Sequence, residues 1–278
     1  MTVTKPWTCP TCNCNVSTPY CPACGERPLR PRDLTLAGLT VQIVQSLSDI
    51  DGRLINSFRC LMMCPGTLTV AYMQGQRKPY LAPFPLFLYA NIVFFVMQSI
   101  TDFRIFSTLL DMHLHDQMWH DLAQFLVTQR LEGTGKTLEL YTPLFNQAVA
   151  LNAKSLISLM ILPFALLLPL VFWRTARPFA VHVVFSLHFY AFMLLLLCVP
   201  MVVRMTFGIT GMFSLAMDHA LSILLLAVCA VYLYAATDKV YETKRWIRII
   251  QTSVLSSALI CIFLGYRFIL FLITLYST

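Results

Sequence analysis

Residues 181–203 read "VHVVFSLHFYAFMLLLLCVPMVV", twenty-three positions without one Asp, Glu, Lys or Arg. At the helical rise of 1.5 Å per residue this run is about 35 Å long, enough to cross a hydrocarbon core of roughly 30 Å. Four more apolar runs flank it: Pro83–Ile100, Ser155–Trp173, Gly211–Ala235 and Ser253–Tyr276. The whole chain is 58% hydrophobic and only 12% charged, where a soluble domain is nearer a quarter charged. The expected fold class is therefore an all-α polytopic membrane protein of about five transmembrane helices. Pro163, Pro169 and Pro200 lie inside two of these runs and are expected to bend them.

Working outward from the spans, Lys and Arg set the orientation. Fourteen of them precede the first span or follow the second and fourth, against five on the opposite side, where the long loop 101–152 also carries six acids. An odd number of spans then puts the N-terminus in the cytoplasm and the C-terminus outside, in a bacterial inner (cytoplasmic) membrane. The formal net charge of +7 reads as topology, and no nucleic-acid partner is expected. The opening residues, "MTVTKPWTCP", carry no apolar core of a cleavable signal.

Ahead of the spans stands "CPTCNCNVSTPYCPAC", residues 9–24. Cys9, Cys12, Cys21 and Cys24 form two C-x2-C pairs, the arrangement that presents four sulfurs to a tetrahedral Zn²⁺. Four thiolates leave no open coordination position, so the expected cofactor is structural zinc in a small cytoplasmic ribbon. Unpaired redox cysteines and an iron–sulfur centre are the competing readings, and Cys14 is an alternative ligand to Cys12. "ERPLRPR" (26–32) follows, with three arginines suited to anionic headgroups or simply to the topology signal.

Between ribbon and first span, Leu36, Leu39, Ile43, Leu47 and Ile50 recur at helical spacing, and Leu54, Phe58, Leu61 and Met62 repeat the pattern. Both stretches are expected to be interfacial amphipathic helices, lying on the membrane or folded back on the spans. Then comes "CPGTLTVAYMQGQRKPYLAPFPLF". Cys9, Cys12, Cys21, Cys24, Pro65, Gly66, Tyr72, Gly75, Arg77, Tyr80 and Pro83 together resemble the bacterial membrane-protein family known as domain of unknown function 3667. The resemblance covers roughly residues 9–100 and implies a ribbon-bearing membrane protein without an established activity; Cys14 departs from the pattern. The expected organisation is a ribbon over 1–30, amphipathic helices and a membrane-entering motif over 31–82, and a five-span domain over 83–278 with the outer loop 101–152. Arg77 and Tyr80 are the candidate contacts for lipid headgroups or a protein partner.

Polar groups inside spans are costly and mark candidate sites. These are Asn91 in the first span, Asp218 and His219 in the fourth, and Arg267 in the fifth. Asp218 and Arg267 lie at matching depth and read either as a structural ion pair or, with His219 and His188, as a polar path. His182 and His188 are expected on different faces. Ser257, Cys261 and Gly265 make a small-residue stripe that reads as helix packing. In the outer loop, His113, Asp116 and His120 share one face of an expected helix and could hold Zn²⁺ or Cu²⁺, though a solvated amphipathic helix explains them with no metal. "EGTGKT" (132–137) lacks the first glycine of a phosphate loop, since Arg130 stands there. No nucleophile–base grouping and no facing carboxylate pair appears, so no catalytic residue is expected. The expected function is a non-enzymatic membrane adaptor or assembly protein that meets membrane lipids and a cytoplasmic or membrane protein partner. The alternative is a transport component for lipid or a small solute.

Overall fold

The computed structural model describes residues 6–28, 35, 52–101, 105–206 and 215–278, with the side chains of Arg204 and of residues 215–219 left outside the description. The expected helix over residues 35–50 lies outside the described residues. Two short strands, β1 (Trp7–Thr8) and β2 (Asn15–Val16), pair antiparallel with Trp7 opposite Val16. Helices follow: α1 (Arg53–Met63), α2 (Thr67–Met73), α3 (Pro83–Thr101), α4 (Leu110–His115), α5 (His120–Thr134), α6 (Leu138–Leu156), α7 (Ile161–Val171), α8 (Phe179–Thr206), α9 (Leu215–Tyr241) and α10 (Arg245–Ser277).

Five helical stretches are long and apolar enough to cross a membrane: Pro83–Thr101, Leu138–Val171, Phe179–Val203, Ala220–Tyr241 and Arg245–Ser277. The protein is a multi-pass membrane protein. The run Phe179–Val203 is the central one. Two thirds of its window is buried (67%), against 28–33% for the other four, because α3, α7 and α2 all pack on α8. α9 and α10 form a hairpin, and α6 lies along α10. On α3, Leu86, Ala90 and Phe94 are fully buried at four-residue spacing, one helical face turned inward.

The second apolar stretch, expected over Ser155–Trp173, belongs to a longer helical run, Leu138–Val171, made of α6, a 3-10 turn at Ile157–Met160, and α7. Pro163 explains the turn: its ring conflicts with the backbone one turn earlier and it lacks an N–H, so the chain tightens there and continues. Within the stretch expected as a loop, 101–152, the described residues hold α4, α5 and most of α6. Gly135, inside "EGTGKT", is the left-handed C-cap of α5 at φ 66° and closes onto Leu131 O at 2.8 Å, an ordinary helix stop.

The apolar face of α1 folds back on the spans. Leu61 is buried, and Leu54, Phe58 and Met62 pack against the same core. The small-residue stripe on α10 does not pack: Ser257 and Cys261 are exposed, and a Cβ added to Gly265 would meet nothing within 4 Å. Larger neighbours, Leu255, Leu259, Tyr266 and Leu270, make the buried face instead.

Candidate metal centre

The ribbon is two copies of one turn. In the first, Cys9 N–H donates to Cys14 O (2.9 Å) and Asn13 N–H to Cys9 O (2.9 Å), with Asn13 left-handed at φ 57°. In the second, Cys21 N–H donates to Glu26 O (2.7 Å) and Gly25 N–H to Cys21 O (2.8 Å), with Gly25 at φ 72°. Each turn aims its pair of sulfurs at the other. The Sγ atoms of Cys9, Cys12, Cys21 and Cys24 all lie within 4.8 Å of one another, with Cys9–Cys24 and Cys12–Cys21 at 3.4 Å. Sulfurs about 2.3 Å from a tetrahedral zinc stand about 3.8 Å apart, so the cluster is the right size. Cys14 is exposed and turned away, its thiol over Cys12 O at 3.7 Å.

Four thiols this close do not lose their protons independently. The backbone hydrogen bond from Cys24 draws the Cys21 thiol down to about 7. Cys24, although the Glu26 amide bonds to it, is pushed up to about 12 by burial and its thiol neighbours. Four thiolates therefore need a cation among them. Among the described residues these cysteines are the one group of three or more metal-ligating side chains close enough to hold an ion. The four cysteines form a candidate metal site.

The cluster does not hang free. Glu26 is only 2% exposed. Its Oε2 accepts from Thr11 Oγ1 at 3.0 Å, and from the backbone amides of Arg77 (2.9 Å) and Lys78 (3.0 Å). Gln76 Nε2 donates to Pro10 O at 2.7 Å. Each cysteine turn thus makes a bond to residues 76–78. That approach segment is tied in turn to α1: Asn56 Nδ2 donates to Pro79 O (2.9 Å) and Leu81 N–H to Ser57 Oγ (2.9 Å). α2, just before it, is wedged into the bundle. Thr69 Oγ1 meets His188 Nδ1 at 2.9 Å, and Lys239 Nζ donates to Thr67 Oγ1 at 3.0 Å.

Gly66 shows why this stretch has its composition. It is left-handed at φ 76°, and a Cβ there would stand 2.7 Å from Ala236 O and 3.0 Å from Ala236 Cα. Only glycine meets both conditions. Gly75 is left-handed as well, at φ 82°, turning the chain from α2 into the approach segment. Pro83 opens α3, where its missing N–H costs nothing. The Arg77 guanidinium lies 5.9 Å from the Tyr72 ring. The Tyr80 hydroxyl bonds the Cys60 thiol, which burial pushes up. Both of these candidate contact residues thus have internal neighbours.

The remaining candidates are dispersed. Asn91 is half-buried on α3. The side chains of Asp218 and His219 lie outside the described residues, and with them the ion pair to Arg267. The Arg267 guanidinium lies over Phe263 at 5.2 Å. His182 and His188 do face different helices, His182 bonding Tyr241 OH on α9 at 2.8 Å while His188 meets α2. The trio His113, Asp116 and His120 is not assembled, because α4 stops at His115 and α5 starts at His120. His113 is instead a core residue, 1% exposed, its ring 4.7 Å from Phe271 and its Nδ1 accepting from Trp119 Nε1 at 3.2 Å. His115 and His120 bond Asp111 and Asp121 locally.

Sequence reasoning missed Glu26 and Gln76. Glu26 was hidden inside an arginine-rich run; its signal was position, two residues after Cys24 as Cys14 is two after Cys12. Arg248 was counted as a loop charge, yet it is 8% exposed, pairs with Asp238 and donates to Tyr234 OH at 3.2 Å.

The fold and site define a helical multi-pass membrane protein with an N-terminal four-cysteine turn pair seated on the segment that leads into its first span. Residues 51–95 match the model of the family described as "Protein of unknown function (DUF3667)", so the resemblance carried by Pro65, Gly66, Tyr72, Gly75, Arg77, Tyr80 and Pro83 is shown on that stretch. The match covers α1, α2, the approach segment and part of α3, and does not reach the cysteines. No curated protein and no solved structure matches the chain.

Proposed function

We propose that the protein is a non-enzymatic adaptor or assembly factor of the bacterial inner membrane, with a structural Zn²⁺ held by Cys9, Cys12, Cys21 and Cys24. The N-terminus is cytoplasmic and the C-terminus outside. The observation that carries this reading is the seat of the ribbon: its inner side is bonded to residues 76–78, and the turn carrying Tyr20, 61% exposed, points away. A small metal-braced platform fastened at the foot of a membrane bundle suits docking better than chemistry, since four sulfurs leave a metal no open position. Zinc would brace the two turns and supply no reacting group. The lysines and arginines of this end support the orientation. The partners are membrane lipids and a cytoplasmic or membrane protein.

The test is isolation of the tagged protein in mild detergent beside its Cys9→Ser/Cys12→Ser variant, with zinc and co-purifying proteins and lipids measured in the same samples. The adaptor reading expects near-stoichiometric zinc and a specific protein that is lost with it. Zinc with one enriched lipid class and no protein would turn the reading toward transport. One observation favours that second reading: Arg267 Nε is buried with no hydrogen-bond partner among the described residues. A transporter expects Arg267→Gln to stop flux in vesicles while thermal stability is kept.

A further inference from the structure

Glu26 belongs to two structures at once. Its backbone closes the second cysteine turn: its N–H bonds the Cys24 sulfur and its C=O accepts from Cys21 N–H at 2.7 Å. Its carboxylate leaves the ribbon and accepts both amides of Arg77 and Lys78. A carboxylate 2% exposed is tolerated only because it is matched, and here the match includes two backbone donors of the approach segment. The first turn repeats the arrangement, since Pro10, between Cys9 and Cys12, accepts from Gln76 at 2.7 Å. On the N-terminal side of residue 76 the bonds continue into α2. Gln76 N–H donates to Ala71 O (2.9 Å) and Gly75 N–H to Tyr72 O (3.1 Å), at the end of α2. α2 in turn is held by Gly66 against Ala236, by Thr67 to Lys239 and by Thr69 to His188.

A ribbon this short has almost no core: Cys9, Val16 and Cys21, with Trp7, Cys12 and Cys24 against them. Four of those six are the metal ligands themselves, so the turn geometry depends on the metal. Without it, residues 21–26 keep only the two backbone bonds of the turn and the Thr11 hydroxyl to aim the Glu26 carboxylate. We infer that Glu26 couples metal occupancy of the four cysteines to the anchoring of residues 74–80, making the cytoplasmic foot of the bundle metal-responsive. This rests on the metal-ribbon reading and gives it a regulatory consequence: a partner or membrane-facing surface at this end is presented in one way with metal bound and in another without.

Hydrogen–deuterium exchange on the full chain in detergent tests it, with zinc bound, after chelation, and after zinc is added back. In the wild type, chelation should speed exchange of the peptide covering 74–80 by about tenfold or more, the loss of one to two charge-assisted bonds, and zinc should reverse it. Glu26→Ala should keep its zinc yet exchange fast in both states. Gln76→Ala should lie between. A peptide from the middle of α8 should stay protected throughout, which shows that the variants remain folded. Chelation that loosens residues 9–25 but leaves 74–80 protected overturns the coupling and leaves the zinc ribbon standing. Glu26→Ala with wild-type protection in the zinc state does the same. A wild-type protein that neither contains nor takes up zinc overturns both.

Discussion

The two ends of the bundle are built on different principles. The ribbon's seat and α2 are held by single directional bonds: Glu26 to two amides, Gln76 to Pro10, Asn56 to Pro79, Thr69 to His188 and Lys239 to Thr67, while behind them the Tyr241 ring stacks on Phe172 at 3.8 Å. The far end, where α4, α5 and the start of α6 meet the last turns of α10, carries a ring cluster alongside bonds such as Leu110 N–H to Asn146 Oδ1 (3.0 Å) and Gln124 Nε2 to Leu114 O (2.8 Å). Phe106 packs edge-on against Phe94, Phe263 and Tyr266; Trp119 meets Phe268; His113 lies on Phe271. The Tyr141 hydroxyl, meeting Leu275 O and Thr278 Oγ1, adds a polar stitch. Directional bonds demand particular residues, whereas rings ask mostly for volume and tolerate exchange.

The largest effect should come from breaking the ribbon end at its metal. Cys9→Ser with Cys12→Ser should abolish zinc binding, worth on the order of 10 kcal/mol in short zinc-bound units, and leave residues 7–26 open to protease while the spans stay folded. Equal protease resistance in the variant and wild type would show that the turns stand without metal. Next comes Gly66→Ala. The left-handed backbone alone costs about 1–3 kcal/mol, and the new Cβ would press on the backbone of Ala236. Thermal unfolding in detergent should fall by several degrees, and an unchanged midpoint would mean that α2 is not wedged against α9.

The far end should answer to acid instead. Burial, and then the Arg267 charge, hold His113 down to about 4 from its ordinary 6.5. The unfolded chain therefore binds the proton that the folded chain refuses. The contribution of neutral His113 is complete above about pH 6.5 and is lost as pH falls from there toward about 4, roughly 3 kcal/mol in all. His113→Phe should flatten that acid limb of the stability profile, and a limb that survives would assign it to other groups. The smallest change sharpens the glycine comparison. Gly265 faces open space on α10, so Gly265→Ala should stabilise by about 0.5–1 kcal/mol, the helix preference alone. Destabilisation there would mean that the exposed stripe of Ser257, Cys261 and Gly265 packs on another chain.

Composition and periodicity by themselves determined the five apolar helical stretches, the apolar face of α1 and the four-cysteine spacing, because each depends on residue type at a fixed local interval; that the α1 face folds back on the spans came from packing. Charge-free length crosses a bilayer whatever its neighbours, and two C-x2-C turns carry their sulfurs with them. Tertiary structure alone decided which residues meet across the chain. Nothing local to Glu26 tells that its carboxylate receives amides fifty residues on, or that Gly66 must clear Ala236 by the width of a methyl group. His113 read as a ligand because helical spacing aligned it with Asp116 and His120; the break between α4 and α5 moved it into a ring cluster. Contacts between distant segments follow from how helices pack, and packing is settled by shape and by the satisfaction of buried polar groups, neither of which is written at any one position.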